Sequence, residues 1–144
     1  MPDWMDPNAI SFITIHCAAT PRGRDVKAAT ISAWDQARFG QTSYHYVIER
    51  DGAVVQTLRH DQKGAHVGGH NSGNLGICYV GGIEQDGKPA DTRTPAQAAA
   101  LAALVQRLHA EHPAAVIRGH RDWPGVAKAC PCFDVAAWLA GLRA

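Results

Sequence analysis

Two histidines and a cysteine stand out for the chemistry they could do together. His16 closes the β-branched run "ISFITIH" (10–16), His120 closes the apolar run "AVIRGH" (115–120), and Cys130 lies ten residues on in "GHRDWPGVAKACPCFD" (119–134), a loop punctuated by proline and glycine. Strand ends that border loops are where a sheet exposes ligands and catalytic groups. If the two strands are neighbours, the imidazoles converge and the loop can fold back to bring the thiol beside them. Two neutral imidazoles and one thiolate suit tetrahedral zinc and leave a fourth position for water or substrate, the pattern of a catalytic site rather than a closed structural one. Separations of 104 and 10 residues match no local zinc-binding spacing, and most histidines are not ligands, so residue types alone leave the metal as one reading among several.

The elements that must position these groups can be read along the chain. Residues 10–16 form a buried strand by their branched and aromatic content. From Asp25 to Phe39 the apolar residues Val26, Ala29, Ala33, Trp34 and Ala37 recur at helical spacing, with Asp25 as N-cap and Gly40 as stop. "YHYVIERDGAVVQTL" sets two strands around a two-residue Asp51-Gly52 turn, a β-hairpin. The polar, glycine-rich stretch 63–74 reads as a loop, and "LGICYVGG" after it as another buried strand. "TPAQ" (94–97) has the capping-box form with proline at the first helical position, and Leu101, Leu104, Val105 and Leu108 follow on one face of a helix ending near His112-Pro113. Asp134 caps a last helix carrying Val135, Trp138, Leu139 and Leu142. The order β-α-β-β-loop-β-α-β-loop-α implies an α/β class with a mixed sheet of about five strands flanked by about three helices, in a single domain spanning 1–144.

Bulk composition excludes several functions. Fourteen basic residues against thirteen acidic ones, without a basic block, lack the electrostatic footprint of a nucleic-acid binder. The first fifteen residues, "MPDWMDPNAISFITI", have no basic n-region and no small-residue cleavage site, and no apolar run reaches the roughly 18 residues that span a bilayer. The expectation is a soluble chain made in the cytoplasm without stable membrane association. Cys17, Cys78, Cys130 and Cys132 then read as thiols or ligands rather than a disulfide framework.

Six stretches carry a resemblance: "IHCAAT" (15–20), "YHYVIERDG" (44–52), "GAHVGGHN" (64–71), "LGICYVGGI" (75–83), "TPAQ" (94–97) and "KACPCFD" (128–134). They occur in this order in the zinc-dependent N-acetylmuramoyl-L-alanine amidases, a family that includes phage amidase-type lysozymes and animal peptidoglycan-recognition proteins. The chain resembles the phage lysozymes most, over nearly its whole length. The resemblance implies zinc ligation by His16, His120 and Cys130, active-site roles for Tyr44 and Lys128, and one Zn2+ per chain. Its substrate would be peptidoglycan or a muropeptide, cut between N-acetylmuramic acid and L-alanine. His66 and Asn71 fall in the stretch resembling the family's groove rim, where they would hydrogen-bond sugar or peptide carbonyls.

Lys128 lies two residues before Cys130, so in extended chain both side chains point one way and the ammonium can stabilise a tetrahedral oxyanion. By the same alternation Tyr44 and Tyr46 share one strand face and His45 the other, leaving Tyr44 to orient a water and relay its proton. His45 reads as a packed histidine, His109 and His112 as partners of a helix C-terminus, Cys17 and Cys78 as core thiols, and Trp34 and Trp138 as helical core residues. Trp123 could be a sugar platform or a lid residue. The functional expectation is a monomeric phage or prophage endolysin released through a holin-type pore. Its alternatives are a cytosolic muropeptide-recycling amidase, a family type that tends to carry aspartate as third ligand, and a non-catalytic recognition module, which would typically lack Cys130. Certain phage lysozymes also bind and inhibit the phage RNA polymerase, a further partner the resemblance brings with it.

Overall fold

The branched run before His16 becomes the centre of the molecule. In the computed structural model, which describes residues 2–143, strand β1 (Phe12–Cys17) pairs in parallel with β5 (Asn74–Tyr79) on one side and β7 (Val116–Gly119) on the other. Strand β3 (Tyr46–Ile48) adds in parallel beyond β5, and β4 (Val54–Gln56) closes that edge antiparallel, giving the order β4-β3-β5-β1-β7. A ribbon of β2 (Thr20–Pro21) and β6 (Gly82–Ile83) accompanies it. With helices α1 (Ala28–Phe39), α2 (Pro95–Glu111) and α3 (Val135–Arg143), this is the expected mixed α/β architecture. Among the described residues no helix is long and apolar enough to cross a membrane.

The two faces of the sheet are unequal. On one, Ile13, Ile15, Leu75, Ile77 and Tyr79 pack against Leu101, Leu104, Val105 and Leu108 of α2 and Val135 and Leu139 of α3. Each such side chain contributes about 1.5–3 kcal/mol on burial, so this layer carries most of the stability. On the other face a smaller cluster, Val47 and Val80 with Val26, Ala28 and Ile31, gathers around α1, joined by the partly buried Ala18, Tyr44 and Val55. The central strand turns Thr14 and His16 to that side, both almost fully buried.

Helix α1 departs from the sequence expectation. It starts at Ala28 with Lys27 as N-cap, and Asp25 instead pairs with Lys27 at 3.2 Å. The Glu49 carboxylate caps it from across the chain, accepting the Ala28 N–H at 2.8 Å. Ala28 and Ile31 are its buried residues, whereas Ala29, Ala33 and Ala37 are exposed and Trp34 is 45 % exposed. Alanines pack equally badly on either side, so their spacing gave the face no direction.

The hairpin turn is also one residue longer than expected. Glu49 N–H bonds Ala53 C=O at 2.9 Å around Arg50, Asp51 and Gly52, with only Gly52 in the left-handed region (φ 91°). This is the three-residue loop that places glycine at its last position. His120 opens a 3-10 turn (His120–Asp122) directly after β7 rather than closing the strand.

The capping box of α2 forms as expected and does more. The Thr94 hydroxyl accepts the Gln97 N–H at 3.1 Å, and Gln97 Oε1 accepts the Thr94 N–H at 2.9 Å. The fully buried Gln97 then donates its amide to Ile48 C=O at 3.2 Å and Val80 C=O at 2.9 Å. One side chain thus caps the helix and ties it to the ends of two strands. Replacing it with methionine removes the reciprocal cap and leaves two buried carbonyls without these donors. We expect Gln97→Met to cost roughly 2–4 kcal/mol, read from urea denaturation; a loss below about 1 kcal/mol would contradict this arrangement.

Candidate metal centre

Parallel register brings the two histidines together. Ile15 pairs with Gly119, so the next step along the strands sets His16 beside His120, and their ring centroids are 4.6 Å apart. The Asp122 carboxylate accepts the Gly119 N–H at 2.9 Å and starts the turn that aims His120 inward. Three further bonds fix Cys130. Arg121 N–H donates to the Cys130 carbonyl at 2.8 Å, Tyr79 O–H to the Pro131 carbonyl at 2.6 Å, and Cys17 N–H to the Cys130 sulfur at 3.2 Å.

The donor atoms of His16, His120 and Cys130 all lie within 4.8 Å of one another. Tetrahedral zinc with bonds of about 2.0–2.3 Å spaces its ligands roughly 3.3–3.8 Å apart, a modest closure of this cluster. Burial, then the neighbouring His66, His120 and Lys128, holds the His16 pKa well below its ordinary value; burial and then Lys128 lower that of His120. Both rings are therefore neutral donors, as a metal requires.

A buried hydrogen-bond chain decides which nitrogen of His16 faces the ion. The Asn74 carbonyl is 3.0 Å from His66 Nε2, which must donate to it. That leaves His66 Nδ1 as an acceptor, 2.9 Å from His16 Nε2, which donates in turn. The remaining lone pair of His16 is on Nδ1, so the chain fixes its tautomer.

All three donors open onto a cleft of about 310 Å³ that is also lined by Tyr44, Lys128, Trp34, Asp35, Arg38 and Phe39. Lys128 is exposed and lines the same cleft as Cys130. Tyr44 precedes β3 and turns to the cleft, its ring 5.1 Å from that of His16. Burial raises its phenol well above the usual value, so it is a neutral O–H. Tyr46 does not share its face: it belongs to the α2-side core and accepts from Arg107 Nη2 at 3.3 Å. The alternation fails because Tyr44 lies outside the strand.

His66 lines the cleft beside His16, but it and Asn71 are both held by hydrogen bonds within the protein. His66 is buried with both ring nitrogens committed inside the protein, and Asn71 Oδ1 accepts the N–H groups of His66 and Val67, each at 2.8 Å. Asn71 also lines a separate depression with Lys63, His70 and Trp123. Trp123 is a packing residue, buried, stacked on His70 at 4.7 Å and donating to the Thr14 hydroxyl at 3.1 Å. Cys132 points away from the donors, 3.2 Å from the Gly82 carbonyl, and burial pushes its thiol up to about 12. His45 is fully buried, accepting the Gly76 N–H on Nδ1 at 3.0 Å and donating from Nε2 to the Gln62 carbonyl at 2.7 Å.

Sequence reasoning missed Trp34 and Asp35, two α1 residues on the cleft wall, and the orienting role of Asn74. Partial burial raises the Asp35 carboxyl above its ordinary value.

The chain matches the family described as N-acetylmuramoyl-L-alanine amidase over residues 6–133. It is 40 % identical to an endolysin of Klebsiella phage KP32, over 89 % of this chain and 84 % of that protein. It is 36 % identical to an endolysin of Escherichia phage T7, over 88 % and 83 % respectively. Its fold is similar to that of the Ph2119 endolysin from a Thermus scotoductus bacteriophage, with a TM-score of 0.77 at 24 % identity covering 99 % of this chain and 88 % of that one.

Two outcomes test this geometry. A Cβ at Gly76 would lie 2.8 Å from the His66 ring, so Gly76→Ala should displace His66, release the His16 tautomer and weaken metal binding about 10–100-fold, as read by competition with a chromophoric chelator. Burial depresses the His45 pKa to about 4, against about 6.5 in the unfolded chain. The unfolded state gains its proton first, so stability is full above about 6.5 and falls by about 3 kcal/mol as pH drops to 4. Denaturation midpoints across that window should decline for the wild type, and less for His45→Gln, which has no proton to gain.

Proposed function

The chain belongs to the N-acetylmuramoyl-L-alanine amidase family, and on that premise we propose that it cuts peptidoglycan between N-acetylmuramic acid and L-alanine, with one zinc ion held by His16, His120 and Cys130. The observation that carries the reading is that these three donors, from the central strand, the end of its neighbour and the loop after it, all line one open cleft. The similar phage endolysins support a wall-degrading role, in which a chain made in the cytoplasm reaches its substrate through a holin-type pore.

A zinc ion held by these donors would supply an acidified water, with pKa lowered to about 7, and would polarise the scissile carbonyl. The protein does the rest. Cys130, ligating as a thiolate, would leave such a centre with net charge near +1. The neutral Tyr44 phenol orients the attacking water and relays its proton towards the departing amine. Lys128, which lines the same cleft, stabilises the tetrahedral oxyanion. The exposed faces of Trp34 and Phe39 give the cleft an apolar wall against which a sugar ring or stem-peptide side chain can lie.

Purified sacculi incubated with zinc-replete protein should release stems bearing free L-alanine amino termini, detected by mass analysis, and chelator-treated protein should release none. Cys130→Ser should lose both metal and activity. Lys128→Met should keep its zinc and lose about 10²–10³ in kcat. Binding to sacculi without any release would refute the hydrolytic reading, and cut glycan strands would indicate a glycosidase.

A further inference from the structure

A second group of metal-binding side chains stands on the α2 side of the sheet. His60, in the segment after β4, faces His112 and Glu111 at the end of α2, and the donor atoms of the three lie within 4.8 Å of one another. We infer that His60, Glu111 and His112 form a binding site for a second divalent transition-metal ion, one that clamps the segment after β4 to the end of α2.

The geometry of the pair argues for a shared ion. His60 Nδ1 and His112 Nε2 point at each other across 3.1 Å, with ring centroids 5.1 Å apart. Two nitrogens bound to one ion at about 2.0–2.1 Å are separated by roughly 3.0–3.4 Å. The outer nitrogen of His60 lies 2.7 Å from the Tyr46 hydroxyl. Donation from Nε2–H to that oxygen sets the ring and leaves Nδ1 as the inward lone pair, the arrangement by which a second partner orients a ligating histidine. Arg107 holds the same hydroxyl from α2 at 3.3 Å.

His112 leaves the helix at φ −130° and ψ 70°, which lets the consecutive side chains of Glu111 and His112 gather on one side. The Arg107–Glu111 pair, at 3.8 Å and about half exposed on both sides, is loose enough for the carboxylate to turn to a cation. Burial, and then His112, lowers the His60 pKa, so its ring is free of the extra proton. Two imidazoles and a carboxylate with remaining positions for water suit zinc, cobalt or nickel, and lack the sulfur of the first centre.

The clamp would anchor the segment that leads to Gln62, whose carbonyl holds His45. It stands independently of the amidase reading.

Titration of metal-free protein with Co2+ separates the two sites, because only the one containing Cys130 gives a thiolate-to-cobalt charge-transfer band. Wild type should take two equivalents, one with the band and one without. Cys130→Ser should lose the band and keep one equivalent. His112→Ala, His60→Gln and Glu111→Gln should keep the band, lose or weaken the sulfur-free equivalent and leave amidase activity unchanged. Excess zinc should raise the Tm of the wild type more than that of His112→Ala. The inference is overturned if no sulfur-free equivalent binds, or if it survives in both histidine variants. Loss of the band alone would instead count against the first centre.

Discussion

The site rests on one buried run of hydrogen bonds, from the Asn74 carbonyl through His66 to His16. Each bond in it has a single allowed direction, because a backbone carbonyl can only accept. In a dry interior an unpaired polar group costs several kcal/mol, so the imidazole on the central strand has one tautomer and its outward lone pair is fixed before any ion arrives. Much of the surrounding architecture serves this chain. Gly76 leaves the space that the His66 ring fills, Asn71 ties down the His66 backbone, and the Asn74 side chain bonds Thr14, two residues before His16, at 2.8 Å.

The unequal faces of the sheet separate stability from chemistry. The α2 and α3 side buries the large aliphatic layer, and Gln97 locks it to the strand ends. The α1 side is thin, which allows a cleft to open at the carboxyl ends of β1 and β7, the usual place for a site in such sheets. Polar groups placed there cost little of the main core, and α1 lends its outer residues to the cleft wall.

Much of the fold was legible in the sequence because its signals are local. A branched run announced β1, an apolar run announced β5, and the capping box announced the start of α2 to the residue. The helix α1 start was misread because its cap comes from Glu49, twenty-one residues away. The three donors were visible as strand-end histidines and a loop cysteine, yet only the ordered motifs singled them out; their meeting depends on β1 and β7 being neighbours, which no local pattern encodes. Tyr44 was placed in the site by the resemblance, while the strand alternation offered to explain its direction does not hold because it precedes β3, and His66 was named but given an outward task. Asn74 and Asp35 carried no signal: one acts through its backbone carbonyl, and the other is one acid on an exposed-looking helix.

The bond from Arg121 N–H to the Cys130 carbonyl makes the residues between His120 and Cys130 a closed cassette, pinned at its neck and free at its tip. Its two donors keep their separation through that neck, whatever length of chain bulges beyond it. Insertions or deletions around Pro124 to Ala127 can therefore accumulate during divergence without disturbing the donors, whereas a single residue gained at the neck would shift both. Two of the three donors are in this sense a transferable part, and homologous recombination between relatives could exchange it whole.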